Sequence, residues 1–202
     1  MTIWRGKHPL ILASQSRARQ MLLANAGIPF DAVPADIDER VVQKNSGLSA
    51  PGEIAGLLAR EKALFVSSKN PERYVVGADQ TLALGAQRFS KPADASAARE
   101  QLRALAGRSH ELHSAVAVAR DGRVVFSHVD TARLTMRALS DRFIDVYVEA
   151  AGADAMASVG GYQLEKLGVH LFERIEGDHF TILGMPLIPL LGALRERGLL
   201  PT

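Results

Sequence analysis

The chain has 202 residues, 47% hydrophobic and 23% charged, with 24 Lys+Arg against 22 Asp+Glu. These are ordinary globular values, and a net charge of +2 without any basic stripe argues against a nucleic-acid polymer or a membrane surface as partner. Cysteine is absent, which excludes disulfides, thiolate metal sites and a cysteine nucleophile, and no run of about 18 apolar residues is long enough to span a bilayer.

The start, Met1 to Pro9, lacks the apolar core of a signal peptide, so a soluble cytoplasmic protein is expected. Leu10–Ala13 reads as a buried strand and Ser16–Ala26 as a helix with Leu22, Leu23 and Ala26 inward. Phe30–Ile37 reads as extended. A second helix is expected to start near Pro51, with Ser49 as its cap, proline in its first turn and an apolar stripe of Ile54, Leu57, Leu58 and Phe65. Tyr74–Ala78 and Thr81–Leu84 read as two further strands, and Asp94–Ala106 as a helix stopped by Gly107. Glu111–Arg120 and Arg123–Leu139 flank Asp121-Gly122, a strong hairpin signal. Ser140 caps a helix through about Ala150, His170–Ile175 is extended, and Leu187–Arg197 closes the chain as a helix. Helices alternate with strands around an antiparallel hairpin, so one α/β domain over residues 1–202 with a mixed sheet is expected.

Chemistry concentrates in a few places. Ser14-Gln15-Ser16-Arg17-Ala18-Arg19 stands where a strand meets a helix N-terminus, whose free N–H groups and dipole favour anions. Arginines there are solvated about as often as they bind; the two small hydroxyls of Ser14 and Ser16 tip the reading toward phosphate. Asp36-Ile37-Asp38-Glu39 could hold Mg²⁺, which takes one or two carboxylates plus substrate phosphates, although an acidic loop is the commoner meaning of such a cluster. Glu61 falls inside the apolar stripe of the second helix with Lys62 at its edge, which calls for a partner or a site. Val75-Val76-Gly77-Ala78-Asp79 places a carboxylate at the end of a buried strand, where α/β sheets build ligand sites. Lys91, fixed by Pro92, follows a short hairpin. In Gly160-Gly161-Tyr162-Gln163-Leu164-Glu165, the glycines permit close approach of a ligand, and the amide and carboxylate could read a base edge. The six histidines show no metal-ligand spacing.

Taken together and in order, these segments resemble the Maf family of nucleoside triphosphate pyrophosphatases. The family's Leu-Ala-Ser-x-Ser-Pro-Arg-Arg is matched by Leu12 to Arg19, Val-Asp-Glu by Ile37-Asp38-Glu39, and the helix signature by Glu61-Lys62-Ala63. Gly77-Ala78-Asp79, Lys91-Pro92, Leu105 to His110, Phe172 to Gly177 and Leu183 to Leu187 follow in step. The resemblance implies hydrolysis of a nucleoside triphosphate to the monophosphate and pyrophosphate with a divalent metal, Mg or Mn. It implies Asp79 as catalytic base; Asp38, Glu39 and Asp79 as metal ligands; and Ser14, Ser16, Arg19, Lys62 and Lys91 on the phosphates, with Arg17, which stands where the family has proline, expected to compensate there for the family's first arginine. The implied fold is similar to that of inosine triphosphate pyrophosphatases: a twisted mixed sheet flanked by helices, two lobes around a central cleft. Members are commonly homodimers, and a link to septum formation makes a nucleotide-binding regulator the alternative.

Two positions bear on the base. Gln80 after Asp79, and Glu165 where members acting on dTTP and UTP carry glutamine, are similar to the subgroup acting on 7-methyl-GTP. A carboxylate accepts from guanine N1–H and N2–H₂ but meets two carbonyls on uracil or thymine. Departures also occur: Arg17-Ala18 replaces the family's Pro-Arg, and Ala157-Ser158-Val159-Gly160 replaces Asp-Lys-Ala-Gly.

Overall fold

The computed structural model describes residues 3–202, so the reading of the extreme start lies partly outside the described residues. Seven strands form one sheet: β1 (Leu10–Leu12), β2 (Phe30–Ala32), β3 (Val75–Leu84), β4 (Gln87–Phe89), β5 (Ser109–Arg120), β6 (Arg123–Met136) and β7 (Phe172–Glu176). Their order is β2-β1-β3-β5-β6-β7, with β4 paired to β3. β1 is parallel to both β2 and β3, whereas β3–β4 and β6–β7 are antiparallel. The sheet is therefore mixed, as expected. The helices are α1 (Arg17–Asn25), α2 (Glu39–Ser46), α3 (Pro51–Ser67), α4 (Ala95–Leu105), α5 (Asp141–Ala151), α6 (Asp154–Ala157), α7 (His179–Ile182) and α8 (Leu187–Glu196). No helix among the described residues is long and apolar enough to cross a membrane.

The chain forms two compact units, one of residues 1–80, 114–130 and 184–202, the other of residues 81–113 and 131–183. In the first, α3 lies on the sheet through Ile11, Ala13, Val66 and Val75 and through a run of alanines, Ala55, Ala59 and Ala63 against Ala115, Ala117 and Ala119. Side chains this small let helix and strand approach closely. The second unit has its own core, in which Leu82, Leu102, Leu105, Leu112, Leu134 and Leu171 are buried with Tyr147 and Tyr162.

Local chemistry accounts for most boundaries. Asp94 and Ser140 cap α4 and α5 through their side chains, and Asp121 (φ 50°) with Gly122 (φ 72°) makes the left-handed two-residue turn that the β5–β6 hairpin needs. Three expectations are corrected. The cap of α3 is Ala50, not Ser49, and it makes no side-chain bond, so Pro51 alone marks that start. Tyr74–Ala78 and Thr81–Leu84 are one continuous strand, because Asp79 and Gln80 keep the extended backbone and find partners on opposite faces. Of Phe30–Ile37, read as extended, only Phe30–Ala32 is strand; residues 33–38 carry no regular structure, and Asp38 caps α2, which Gly47 (φ 66°) stops.

His110 lies at the heart of the second unit's core, 1% exposed, with Nε2 2.7 Å from the Tyr162 hydroxyl and its buried Nδ1 without a partner. Burial lowers its pKa from 6.5 to about 4. The unfolded chain thus binds the extra proton first, so His110 favours the fold fully above pH 6.5 and loses that contribution as pH falls toward 4. At about 1.4 kcal/mol per unit the loss is about 3 kcal/mol. Urea unfolding at pH 7.5 and pH 4 should show this excess acid sensitivity in the wild type and not in His110→Gln; equal slopes would refute it.

Candidate active site

The β1–α1 junction is held by its own hydroxyls. Ser16 caps α1, its Oγ accepting the Arg19 N–H at 3.4 Å, while Ser14 Oγ accepts the Ser16 N–H at 3.2 Å and Arg19 Nη1 at 3.3 Å. Arg19 reaches further: Nη1 donates to the Ala78 carbonyl at 2.8 Å and Nε to the Gly184 carbonyl at 2.9 Å. One guanidinium thereby ties the junction, strand β3 and the Gly184 turn together. Burial pulls its pKa down, against the charges of Asp79 and Glu39 that raise it. Arg17, the first residue of α1, is exposed.

Lys62 is the buried cation of the first unit, 9% exposed. Its Nζ lies 2.6 Å from Asp79 Oδ1 and 2.8 Å from Glu39 Oε1. Three elements bring these groups together. A Cβ on Gly77 would stand 2.1 Å from the Ala59 carbonyl oxygen, so only glycine lets α3 lie this close to β3. Residues two apart on a strand share a face, so the helix pressed on Gly77 also meets Asp79, through Lys62, one helical position beyond Glu61. Glu39 arrives on the first turn of α2, whose start Asp38 fixes by accepting the Arg40 and Val41 N–H groups at 3.0 and 3.1 Å. Asp79 is 7% exposed, and burial raises its carboxyl pKa although Lys62 and Arg19 act to lower it.

Ser14, Ser16, Arg19, Glu39, Lys62, Asp79 and Gln80 all belong to the first unit, and hydrogen bonds or ion pairs link the first six into two adjoining clusters. Gln80 points to the other face of β3, where Nε2 donates to the buried Ser114 hydroxyl at 2.9 Å. Lys91 and Glu165 belong to the second unit and are exposed. Asp38 is engaged as a helix cap, and no group of three or more metal-ligating side chains exists among the described residues. The inner face of α3 runs through Ile54, Leu58, Lys62 and Val66; Glu61 sits at its edge and is not the partner of Lys62. Helix periodicity signalled a charge in the stripe but chose its neighbour. Gly184 was missed as a member of the site, since only the fold brings its carbonyl to Arg19.

The arrangement is that of an α/β protein with a serine-capped strand–helix junction beside a lysine clasped by two carboxylates. Residues 9–197 match the family model described as Maf-like protein, and the chain belongs to that family. A nucleoside triphosphate pyrophosphatase of Rhodopseudomonas palustris (strain HaA2) is 66% identical over 200 residues, 99% of either chain. A 7-methyl-GTP pyrophosphatase of Rhizobium etli is 52% identical over 192 residues, 94% of this chain and 96% of that one. Among solved structures, a HAM1 protein from Coxiella burnetii is similar with a TM-score of 0.41 at 16% identity, covering 63% of this chain and 72% of that one.

Proposed function

We propose that this chain is a nucleoside triphosphate pyrophosphatase that cleaves the α–β phosphoanhydride with water, giving the monophosphate and pyrophosphate. The observation that carries the reading is the buried Lys62 ammonium held between Asp79 and Glu39. Two carboxylates converging on one cation position are a hard-oxygen donor pair, which suits Mg²⁺ or Mn²⁺ completed by substrate phosphates and water. Glu39 and Asp79 are the residues to hold such an ion, with Asp38 next to Glu39 in sequence but committed to its helix. The ion would supply charge neutralisation on the phosphoryl oxygens.

The protein groups account for the rest. The N-terminus of α1, with Arg17 and the serine hydroxyls, offers donors to the polyphosphate. Asp79, whose raised pKa makes it a better proton acceptor near neutral pH, takes a proton from the attacking water as the new O–P bond forms and the bridging O–P bond breaks. Lys62 holds the carboxylate in place and balances its charge. Arg19 fixes the geometry of the junction against β3, as its two carbonyl contacts require.

For the base, Glu165 and Gln80 favour a guanine, and 7-methyl-GTP is the proposed substrate; the similarity to the Rhizobium etli protein supports the same reading. A panel of canonical and methylated triphosphates, with pyrophosphate and phosphate detected separately, tests both levels. Pyrophosphate as first product from a guanine-type triphosphate is the expected result. Orthophosphate first would overturn the reaction, and tight binding without turnover in Mg²⁺ and Mn²⁺ would make the protein a nucleotide-binding regulator instead. Glu165→Gln should lower kcat/KM for guanine-type substrates about tenfold relative to uracil or thymine ones; an unchanged ranking would remove Glu165 from base selection.

A further inference from the structure

A second concave site lies at the opposite end of the same strands. Asp79 stands five residues from Tyr74, which immediately precedes β3, roughly 16 Å at about 3.3 Å per residue. At the Tyr74 end, where β1 and β3 begin and β5 finishes, a cavity of about 310 Å³ is lined by Arg5, Lys7, Arg73, Arg120 and Arg197, with His8 beside them and Glu72 as the sole carboxylate in the lining.

Its walls are preset. Trp4 Nε1 donates to the His8 carbonyl at 3.1 Å, the Arg5 N–H donates to the Leu199 carbonyl at 2.9 Å, and a Cβ on Gly6 would meet the Trp4 ring at 2.6 Å. Glu72 (φ 63°) is held in its left-handed turn by its N–H donating to Asp121 Oδ1 at 2.7 Å. The arginines are held by backbone and ring. Arg73 donates through Nε and Nη2 to the Pro9 carbonyl and pairs with Asp31, and Arg197 donates to the Ala193 and Val125 carbonyls. Arg120 stacks on Tyr74 with its Nη1 donating to the hydroxyl, while its buried Nε has no hydrogen-bond partner and lies 3.4 Å from Asp121 Oδ2. Arg5 and Lys7, both exposed, make no side-chain ion pair among the described residues.

Arg73, Arg120 and Arg197 are each also paired from outside the lining, with Asp31, Asp121 and Glu196, so Arg5 and Lys7 are the lining cations without a carboxylate partner among the described residues, and they share with Glu72 a space of small-molecule size. We infer that this cavity is a second anion site, distinct from the Lys62–Asp79 cluster, that takes a compound carrying two or more linked phosphoryl groups. Guanidinium forks set around a cavity match the oxygens of a diphosphate better than those of a single phosphate. Pyrophosphate and the diphosphate of a nucleotide share that chemistry. The inference does not depend on the catalytic reading, since it rests on other residues.

Calorimetric titration of the full chain with inorganic pyrophosphate and with ADP, without metal, tests it. One diphosphate should bind in Lys62→Ala as in the wild type and should weaken at least tenfold in Arg5→Glu/Lys7→Glu, with affinity falling as salt rises. Tighter binding of pyrophosphate than of ADP would assign the free anion, and the reverse the nucleotide; orthophosphate should bind at least tenfold more weakly than the preferred one. Triphosphate turnover should be unchanged in the double variant. Unchanged diphosphate binding in Arg5→Glu/Lys7→Glu, or loss of all binding in Lys62→Ala, would overturn the inference. Arg5→Ala/Lys7→Ala repeats the test should charge reversal disturb the fold.

Discussion

Asp79→Asn is expected to lower turnover of the best triphosphate about 10³-fold while the protein stays folded. The substitution keeps the shape of the side chain and an oxygen for the Lys62 ammonium, which also retains Glu39 at 2.8 Å. No buried charge is left alone, so the cost in stability should stay near 1–2 kcal/mol, below that of breaking an isolated buried pair. What disappears is the proton acceptor and one of the two anionic oxygens that would hold a metal, each a large loss for a reaction that depends on both. The pH profile provides a second readout. Because burial holds the Asp79 carboxyl above the ordinary range, wild-type activity should begin to fall at a higher pH than an exposed aspartate would dictate. A general-base role requires that acidic limb, whereas a purely structural Asp79 would give Asp79→Asn a shifted Tm and near-normal kcat. Full turnover in a folded Asp79→Asn would remove Asp79 from the chemistry.

Much of this site was legible in the sequence because its parts announce themselves locally. A Ser-x-Ser at a strand–helix junction signals a helix cap, and Ser16 does cap α1. Asp121-Gly122 specified the hairpin turn through its left-handed backbone. What escaped was tertiary in origin. Asp79 looked like the end of a strand because charge seldom continues into a buried one, yet β3 passes straight through it, since Lys62 offsets the charge from the helix above. The short α2 has too few apolar residues to show a period, and only Asp38, Glu39 and Gly47 mark it. Arg19, read as a phosphate ligand, is in addition held by two backbone carbonyls from distant parts of the chain, and no local pattern encodes that hold.

Gly77→Ala should cost at least about 3 kcal/mol of stability, at the upper end for an overpacked site, and should lower activity with it. The added methyl would lie 2.1 Å from the Ala59 carbonyl oxygen and 2.7 Å from the Ala63 nitrogen, both backbone atoms of α3. Neither can rotate away, so the helix itself must lift from the sheet. Lys62 stands between those two positions in sequence, and its 2.6 Å contact with Asp79 lengthens with any such displacement. A fall in Tm of about 10 °C is expected for a chain of this size, together with a kcat loss of tenfold or more in the fraction that remains folded. The obstacle is backbone, so trimming side chains should not help: Ala63→Gly relieves only the 3.0 Å contact with the Ala63 methyl and should leave most of the defect. A Gly77→Ala protein with wild-type Tm and kcat, or full rescue by Ala63→Gly, would show that the close approach of α3 is not what sets Lys62 against Asp79. With the expected result, the glycine two residues before the aspartate becomes part of the catalytic geometry, although it carries no functional group of its own.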